Sequence, residues 1–246
     1  MNEKQQEQDA FLLSHVQDML RKNAWRSFTA FLDMRQYTML KPYLRDGNHR
    51  FFGGHPSAER GILCIHPEDA PPEDDEFPIT CLTFTFRKAD KISHRDVLGS
   101  LMAQQLQRSM IGDIFISPGR VQCFVTGAAA AVGLQISKIG RVGVRVTDEI
   151  PFTDDYQQEK KEISGTVASP RLDAVLRTAL PLGRDACAEL IVRRMVTVNY
   201  QEAEEPSLQL KEGDVFSVRG YGKFRLKSIS TPTKKGRLHV IIEKYL

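Results

Sequence analysis

Between Ile79 and Val146 the spacing of apolar residues switches repeatedly between two periods, and the order of those switches leaves the chain few ways to fold. Ile79 to Phe86 is rich in β-branched and aromatic residues, as strands are, and Val97 to Leu106 has helical spacing. Two strands follow around Ile114 to Ile116 and Val121 to Val125, meeting at Ser117-Pro118-Gly119, a good turn. Gly127 to Lys138 is alanine-rich and predicts a second helix. Val142, Val144 and Val146 then alternate with Arg141, Gly143 and Arg145, which describes a strand with one buried and one basic face.

The order β-α-β-β-α-β is that of the split βαβ, or ferredoxin-like, sandwich. Upstream, Leu12, Val16 and Met19 lie at helical spacing. Tyr37, Leu40 and Leu44 repeat that spacing after a cap at Asp33 with Gln36 three residues on, and Pro42 is placed to kink or end this helix. The stretch from His66 to Glu76 is acidic and proline-rich, reads as an exposed loop and should repel polyanions. Between Pro151 and Ala168 the sequence turns polar, with the charge cluster Glu159-Lys160-Lys161-Glu162, and marks the domain boundary. The expected organisation is a helical N-terminal segment over 1–60, a ferredoxin-like domain over 61–150, a linker over 151–169 and a small domain over 170–246. The fold class is α+β.

Hydrophobic residues make up 41% of the chain and charged residues 26%, so a real core is expected and disorder is not. No apolar run is long enough for a membrane span and the first ten residues are polar, which predicts a cytoplasmic protein with no membrane partner. Cys64, Cys81, Cys123 and Cys187 form no CxxC pair and read as buried reduced thiols.

The net charge of +3 is unevenly spread: from Pro170 onward 14 Lys and Arg face 9 Asp and Glu, whereas the rest of the chain has a slight acidic excess. In that basic region Ser169 can cap a helix with Pro170 at its first position. Leu172, Val175, Leu176, Ala179 and Leu180 give this helix an apolar stripe, Pro181-Leu182-Gly183 breaks it, and Cys187, Leu190, Ile191 and Met195 give a second helix its own. Arg171, Arg177, Arg184, Arg193 and Arg194 fall on the remaining faces, and guanidinium groups match phosphate oxygens in a bidentate way. Short strands follow at 197–199, 215–219, 223–226 and 238–243.

Arg171-Leu172-Asp173, the Leu182-Gly183-Arg184 turn, Ala186 to Ile191, Val196-Thr197-Val198-Asn199, and Lys211-Glu212-Gly213-Asp214 through Val218-Arg219 resemble the S-four RNA-binding domain, an αL-type module named for small-subunit ribosomal protein four. With Phe31-Leu32-Asp33, the split βαβ and the approach Thr166 to Asp173, the chain is similar to the bacterial YlmH family. The resemblance implies a helical N-terminal segment, a middle domain similar to an RNA-recognition fold and a C-terminal S-four domain. It implies binding of rRNA, with tRNA as a second candidate, on the large ribosomal subunit in translation quality control, and an association with cell-division gene neighbourhoods. DNA is not an expected partner. The S-four likeness carries RNA contact to Arg171, Arg177, Arg184, Arg193, Arg194, Thr197 and Asn199. Arg219, Lys223 and Arg225 are further candidates, and Lys138, Arg141 and Arg145 offer a second contact on the middle domain. Tyr200-Gln201 departs from the Gly-Lys that many S-four domains carry, and Glu202, Glu204 and Glu205 oppose phosphate close by.

Other motifs read more plainly. Arg219-Gly220-Tyr221-Gly222-Lys223-Phe224 imitates an RNA-recognition strand but places Lys223 where an aromatic should stack, so it reads as a tight turn. Arg171-Leu172-Asp173 resembles the catalytic triplet of pseudouridine synthases, yet lies within the S-four helix, where Asp173 suits the helix dipole. Gly127 to Gly133 lacks the phosphate-loop ending, and the histidines form no metal-binding spacing. No catalytic residue, metal or cofactor is expected. The rival readings are an RNA-modifying enzyme anchored by an S-four domain and a protein-interaction adaptor.

Overall fold

A computed structural model describes residues 3–22, 25–152, 160–232 and 236–245. The chain divides into two compact units, Met1–Tyr156 and Gln157–Leu246.

The first unit begins with α1 (Glu3–Lys22), β1 (Ser27–Leu32) and α2 (Met34–Leu40), followed by β2 (His49–Phe52) and β3 (Gly61–Ile65). The expected cap of α2 is present in full: Asp33 accepts from the Gln36 N–H at 2.8 Å, and the Gln36 side chain accepts from the Asp33 N–H at 2.9 Å. The helix gives way at Pro42 to a single 3-10 turn, Lys41–Tyr43. The N-terminal segment is not purely helical, however. β1, β3 and β2 form an antiparallel three-stranded sheet in that order, because Phe28 to Leu32, Phe51-Phe52 and Ile62 to Ile65 are short apolar runs that the helical reading passed over.

The remaining elements of this unit are β4 (Ile79–Thr85), α3 (His94–Ala103), β5 (Ile111–Ser117), β6 (Arg120–Thr126), α4 (Gly127–Gly133), and the short β7 (Lys138–Ile139), β8 (Val142–Gly143) and β9 (Arg145–Thr147). The four-stranded sheet runs β5-β6-β4-β9, all antiparallel. α4 stops at Gly133 rather than Lys138, where Gln135 and Ile136 turn back on the carbonyls of Val132 and Gly133. The predicted strand of alternating valines is broken at Val144, whose N–H bonds Ser137 instead of a neighbouring strand.

The burial pattern explains how these parts stack. α1 and α2 cover one face of the three-stranded sheet through Val16, Met19 and Leu40 against Leu32, Leu63 and Ile65. α3 and α4 cover one face of the four-stranded sheet through Val97, Leu101 and Ala129 against Leu82, Phe84, Ile111 and Val121. The two remaining faces meet, with Phe31, Ile62 and Cys64 packed on Phe77, Phe115 and Phe124. β3, Gly-Ile-Leu-Cys-Ile, is therefore buried at every residue, and a strand covered on both faces reads as a continuous apolar run. The sheets approach closely because two positions lack a side chain: a Cβ on Gly54, at φ +92, would lie 2.4 Å from the Phe124 ring, and one on Gly112 2.7 Å from Phe31.

The acidic loop is tied down rather than merely solvated. Arg26 bonds Glu76 and the Ala70 and Pro71 carbonyls, and Arg50 bonds Asp74 and the Pro72 carbonyl.

The second unit holds β10 (Lys160–Val167), α5 (Leu172–Ala179), α6 (Arg184–Val192), β11 (Val196–Val198), β12 (Gln201–Glu202), β13 (Val215–Val218), β14 (Gly222–Ile229) and β15 (Leu238–Tyr245). They build one antiparallel sheet, ordered β10-β15-β14-β13-β11-β12. The stretch read as a linker thus contains a strand: β10 pairs with β15 over eight residues, from Lys160 opposite Tyr245 to Val167 opposite Leu238. Its alternation was hidden by Lys160, Lys161, Glu162 and Ser164, as on an edge strand. Glu159, also part of that charge cluster, lies outside the described residues. α5 and α6 cover one face, packing Leu172, Val175, Leu176, Cys187 and Ile191 on Phe216, Phe224, Leu226, Val240 and Ile242.

The start of α5 corrects a second expectation. Pro170 and Arg171 do not enter the helix. Arg171 bridges to Gln209 in extended form, and the first helical N–H groups, of Leu172 and Asp173, reach the carbonyls of Leu208 and Pro206 at 2.8 and 3.1 Å. A backbone segment from 206–210 does the capping assigned to Ser169.

All four cysteines are free thiols, and burial pushes Cys64 and Cys81 up to about 11.

Candidate nucleic-acid interface

Asp173 organises the basic face of the second unit. It sits in the first turn of α5 with its side chain only 4% exposed. Arg171 donates to its two oxygens through Nε and Nη2, both at 3.1 Å, and Arg184, at the start of α6, donates to Oδ2 through Nε at 3.0 Å. Burial alone would raise the Asp173 pKa, but the hydrogen bonds and charges of Arg171 and Arg184 outweigh it and hold the carboxyl below its ordinary value. A buried carboxylate thereby fixes two guanidinium groups, one from just before α5 and one from the first residue of α6, in one place, and Arg184 remains half exposed.

Arg171, Ala174, Arg177 and Thr178 recur on one side of α5 and face β10. Helix and strand come close because Gly165 has no side chain; a Cβ there would lie 2.5 Å from Thr178 Cγ2. Between them opens a cleft of about 580 Å³, lined by Arg171, Arg177, Arg184, Arg237 and the hydroxyl residues Ser164 and Thr166. Arg237 closes one side, donating through Nη2 to the Thr166 carbonyl at 2.8 Å. Among the described residues, Arg171, Arg177 and Arg184 meet one carboxylate, that of Asp173, so positive charge is in excess there, with hydroxyl donors beside it. That composition suits a phosphate group.

The structure separates the remaining candidates from this cleft. Arg193 lies 3.4 Å from Glu189, and Arg194, at φ +55 just beyond the end of α6, lies 3.7 Å from Glu202 and 3.6 Å from Glu204. Thr197 is half-buried in β11, opposite Ser217 and Glu202. Asn199 spends both ends of its amide inside the protein: Nδ2 donates to Asp214 at 2.9 Å and Oδ1 accepts from the Val215 N–H at 3.1 Å. Arg219 is exposed at the turn after β13. Lys223 and Arg225 alternate with the buried Phe224 and Leu226, and so belong to the sheet face away from the helices. The Lys223 ammonium lies 5.2 Å from the ring centres of both Tyr200 and Tyr245. Gly220 and Gly222 take φ of +87 and +112, the tight turn expected there.

In the first unit Lys138, Arg141 and Arg145 are all exposed around β7, β8 and β9. Among the described residues, the sheet face opposite α3 and α4 presents no open aromatic platform. Phe115 and Phe124 are buried there, with Phe152 at 4.8 and 5.3 Å from them. Gln122 donates to Thr83 Oγ1 at 2.9 Å and to the Pro151 carbonyl at 3.1 Å.

Two features of the cleft were not read from the sequence. Arg237 lies beyond the last recognised motif, and the Asp173–Arg184 pair spans eleven residues and a turn, so no local pattern announces it.

Residues 72–154 match a family model described as "Putative RNA-binding domain in YlmH". Over 224 residues the chain is 34% identical to "Ribosome-associated protein quality control protein P2" of Bacillus subtilis (strain 168), covering 88% of this chain and 86% of that protein. The chain belongs to the YlmH family. Among solved structures, this YlmH-family chain matches "Cell division protein ylmH from Streptococcus pneumoniae" at 19% identity and a TM-score of 0.48, over 64% of this chain and 97% of that one. The family model falls within the first unit, whereas the arginine cleft lies in the second.

Proposed function

We propose that this protein is a non-catalytic, cytoplasmic RNA-binding protein that docks structured rRNA on the large ribosomal subunit in quality control of translation, with tRNA as a second RNA ligand. A ribosome-related RNA-binding role is supported by the family model and by the name of the Bacillus subtilis relative. The observation that carries the proposal further is the convergence of Arg171, Arg177 and Arg184 on one cleft over a buried carboxylate. Phosphates held there would supply affinity with strong salt dependence, and RNA shape would supply selectivity.

The domain reading follows the same lines. The β5-β6-β4-β9 order with its two helices supports a ferredoxin-like middle domain at 61–150, and the helix pair against β11 and β13 supports an S-four domain at 170–246, here extended by β10. The sheet of β1, β2 and β3, which takes residues 61–65 from the expected middle domain, acts as a cover for the middle sheet. With that face closed, RNA contact by the middle domain is assigned to its exposed cations Lys138, Arg141 and Arg145. On the S-four domain the cleft arginines rank above Arg193 and Arg194, because several of them converge on one cavity to which Arg193 and Arg194 do not contribute.

Co-sedimentation with purified ribosomal subunits at two salt concentrations tests this. The wild type should pellet with the large subunit at low salt and be released at high salt. Arg177→Ala with Arg184→Ala should lower affinity on the order of tenfold or more, and Arg193→Ala with Arg194→Ala much less. Failure of the wild type to pellet would overturn the reading and favour a protein-interaction adaptor. Chemical modification of the RNA by the purified protein would favour the enzyme reading.

A further inference from the structure

A second basic cleft, in the first unit, is built on a different principle and is independent of the function proposed above. Arg60, in the loop before β3, donates through Nε to the Ile111 carbonyl at 3.0 Å and through Nη2 to the carbonyls of Phe31 and Arg108 at 3.3 and 3.2 Å. Arg108, in the 3-10 turn before β5, donates to the same Ile111 carbonyl and to that of Gly112. Two like-charged guanidinium groups therefore share one acceptor. Among the described residues, neither has a carboxylate within ion-pair distance. Asp33 and Asp113 contribute only at longer range; Asp33 caps α2, and Asp113 accepts from the N–H groups of Glu59 and Arg60 at 2.6 and 2.9 Å. Burial first, and the neighbouring Arg60 charge second, push Arg108 down to about 10, against the opposing pull of Asp113 and Asp33.

Both arginines open onto a cleft of about 700 Å³. Phe11 of α1 lines it at 77% exposure, a large ring turned away from the core that the rest of the amphipathic helix serves. Gln8, Gln36 and Gln107 also line it. Gln36 Oε1 accepts from the Asp33 N–H, and its amide NH2 group can donate. Glu7 and Asp33 stand in the same lining. They oppose a run of phosphates at this cleft.

We propose that this cleft binds a single nucleotide unit, its phosphate on Arg60 and Arg108 and its base against Phe11, supplied as a free mononucleotide or as the phosphorylated end of an RNA chain. The phosphate furnishes the counter-charge the arginine pair lacks, and the ring furnishes a stacking surface that discriminates little between bases.

The test is titration of the full-length protein with inorganic phosphate, adenosine, AMP, and short oligoribonucleotides carrying a 5′-phosphate or a 5′-hydroxyl, read as chemical-shift changes at the backbone amides of 107–109. That local readout separates this cleft from the arginine cleft of the second unit, so either site can fail alone. Phosphate and AMP should shift these amides and adenosine should not. Phe11→Ala should weaken AMP by about fivefold or more and leave phosphate unchanged. Arg108→Gln should weaken both by about tenfold or more. Because Arg108 also supports the backbone, the exposed Gln107→Glu provides a variant that spares the fold and should do the same by placing a carboxylate beside the phosphate. Binding of the 5′-phosphorylated oligonucleotide, but not its hydroxyl counterpart, would identify an RNA end as the source; binding of AMP alone would identify a free nucleotide. Unshifted amides with every phosphate-bearing ligand, or wild-type binding by Gln107→Glu, would overturn the proposal and leave Arg60 and Arg108 as backbone clamps.

Discussion

Two arginine pairs, one in each unit, are held in opposite ways. In the second, Arg171 and Arg184 grip the carboxylate of Asp173, with 3.0 to 3.1 Å bonds from both sides. In the first, Arg60 and Arg108 grip carbonyl oxygens and crowd each other. The Asp173 arrangement spends full charge on rigidity and gains a fixed direction for its guanidinium groups. The Arg60–Arg108 arrangement satisfies hydrogen bonds without a direct ion pair. Charge fixed by a buried anion resists loss of either partner; charge held by dipoles tolerates loss and attracts an external anion.

The comparison can be broken most forcefully at Asp173. Removing one member of a buried pair costs roughly 3–5 kcal/mol, and the partial exposure of Arg171 and Arg184 lowers the expectation for Asp173→Ala to about 2–3 kcal/mol. Urea unfolding would measure it, and a loss near zero would show that the carboxylate organises nothing. The pH dependence adds a signature. Because the folded pKa of Asp173 lies below its unfolded value, its stabilisation is complete above the unfolded pKa of about 3.9 and is lost as pH falls through the folded value. The stability gap between wild type and Asp173→Asn should therefore narrow as pH drops below about 4.

Arg108→Gln is expected to cost less, within about 1 kcal/mol, since lost carbonyl bonds are offset by relief of the Arg60 contact and of charge burial. A cost equal to that of Asp173→Ala would erase the distinction between the two units. Smallest of all, Arg193→Ala breaks an exposed i,i+4 pair with Glu189 and should change stability by no more than about 0.5 kcal/mol. A larger loss would mean that Arg193 has a structural role of its own.

Local patterns made much of the fold legible. The Asp33–Gln36 capping box, the Ser117-Pro118-Gly119 turn between β5 and β6, and the paired apolar stripes of α5 and α6 all appear where spacing placed them. Each depends on residues within a few positions of one another. What failed depended on distant partners. β1, β2 and β3 were missed because their short apolar runs become strands only when they pair. β10 was missed because its solvent-facing charges conceal an edge whose eight-residue partner lies near the other end of the unit. Ser169 lost the cap of α5 to the carbonyls of 206 and 208.

The candidate site divides along the same line. The sequence by itself determined that the C-terminal region is basic, that it holds two amphipathic helices, and that Arg171, Arg177, Arg184, Arg193 and Arg194 fall away from their apolar stripes, because charge and helical period are local properties. Only the tertiary structure decided which arginines act together. Asp173 joins Arg171 and Arg184, Gly165 lets β10 and α5 form a cleft to which Arg237 adds, and Arg193 and Arg194 lie outside that cleft, beside Glu189, Glu202 and Glu204. Electrostatic partnership is fixed by distance and burial, and both arise only when segments remote in the chain are packed together.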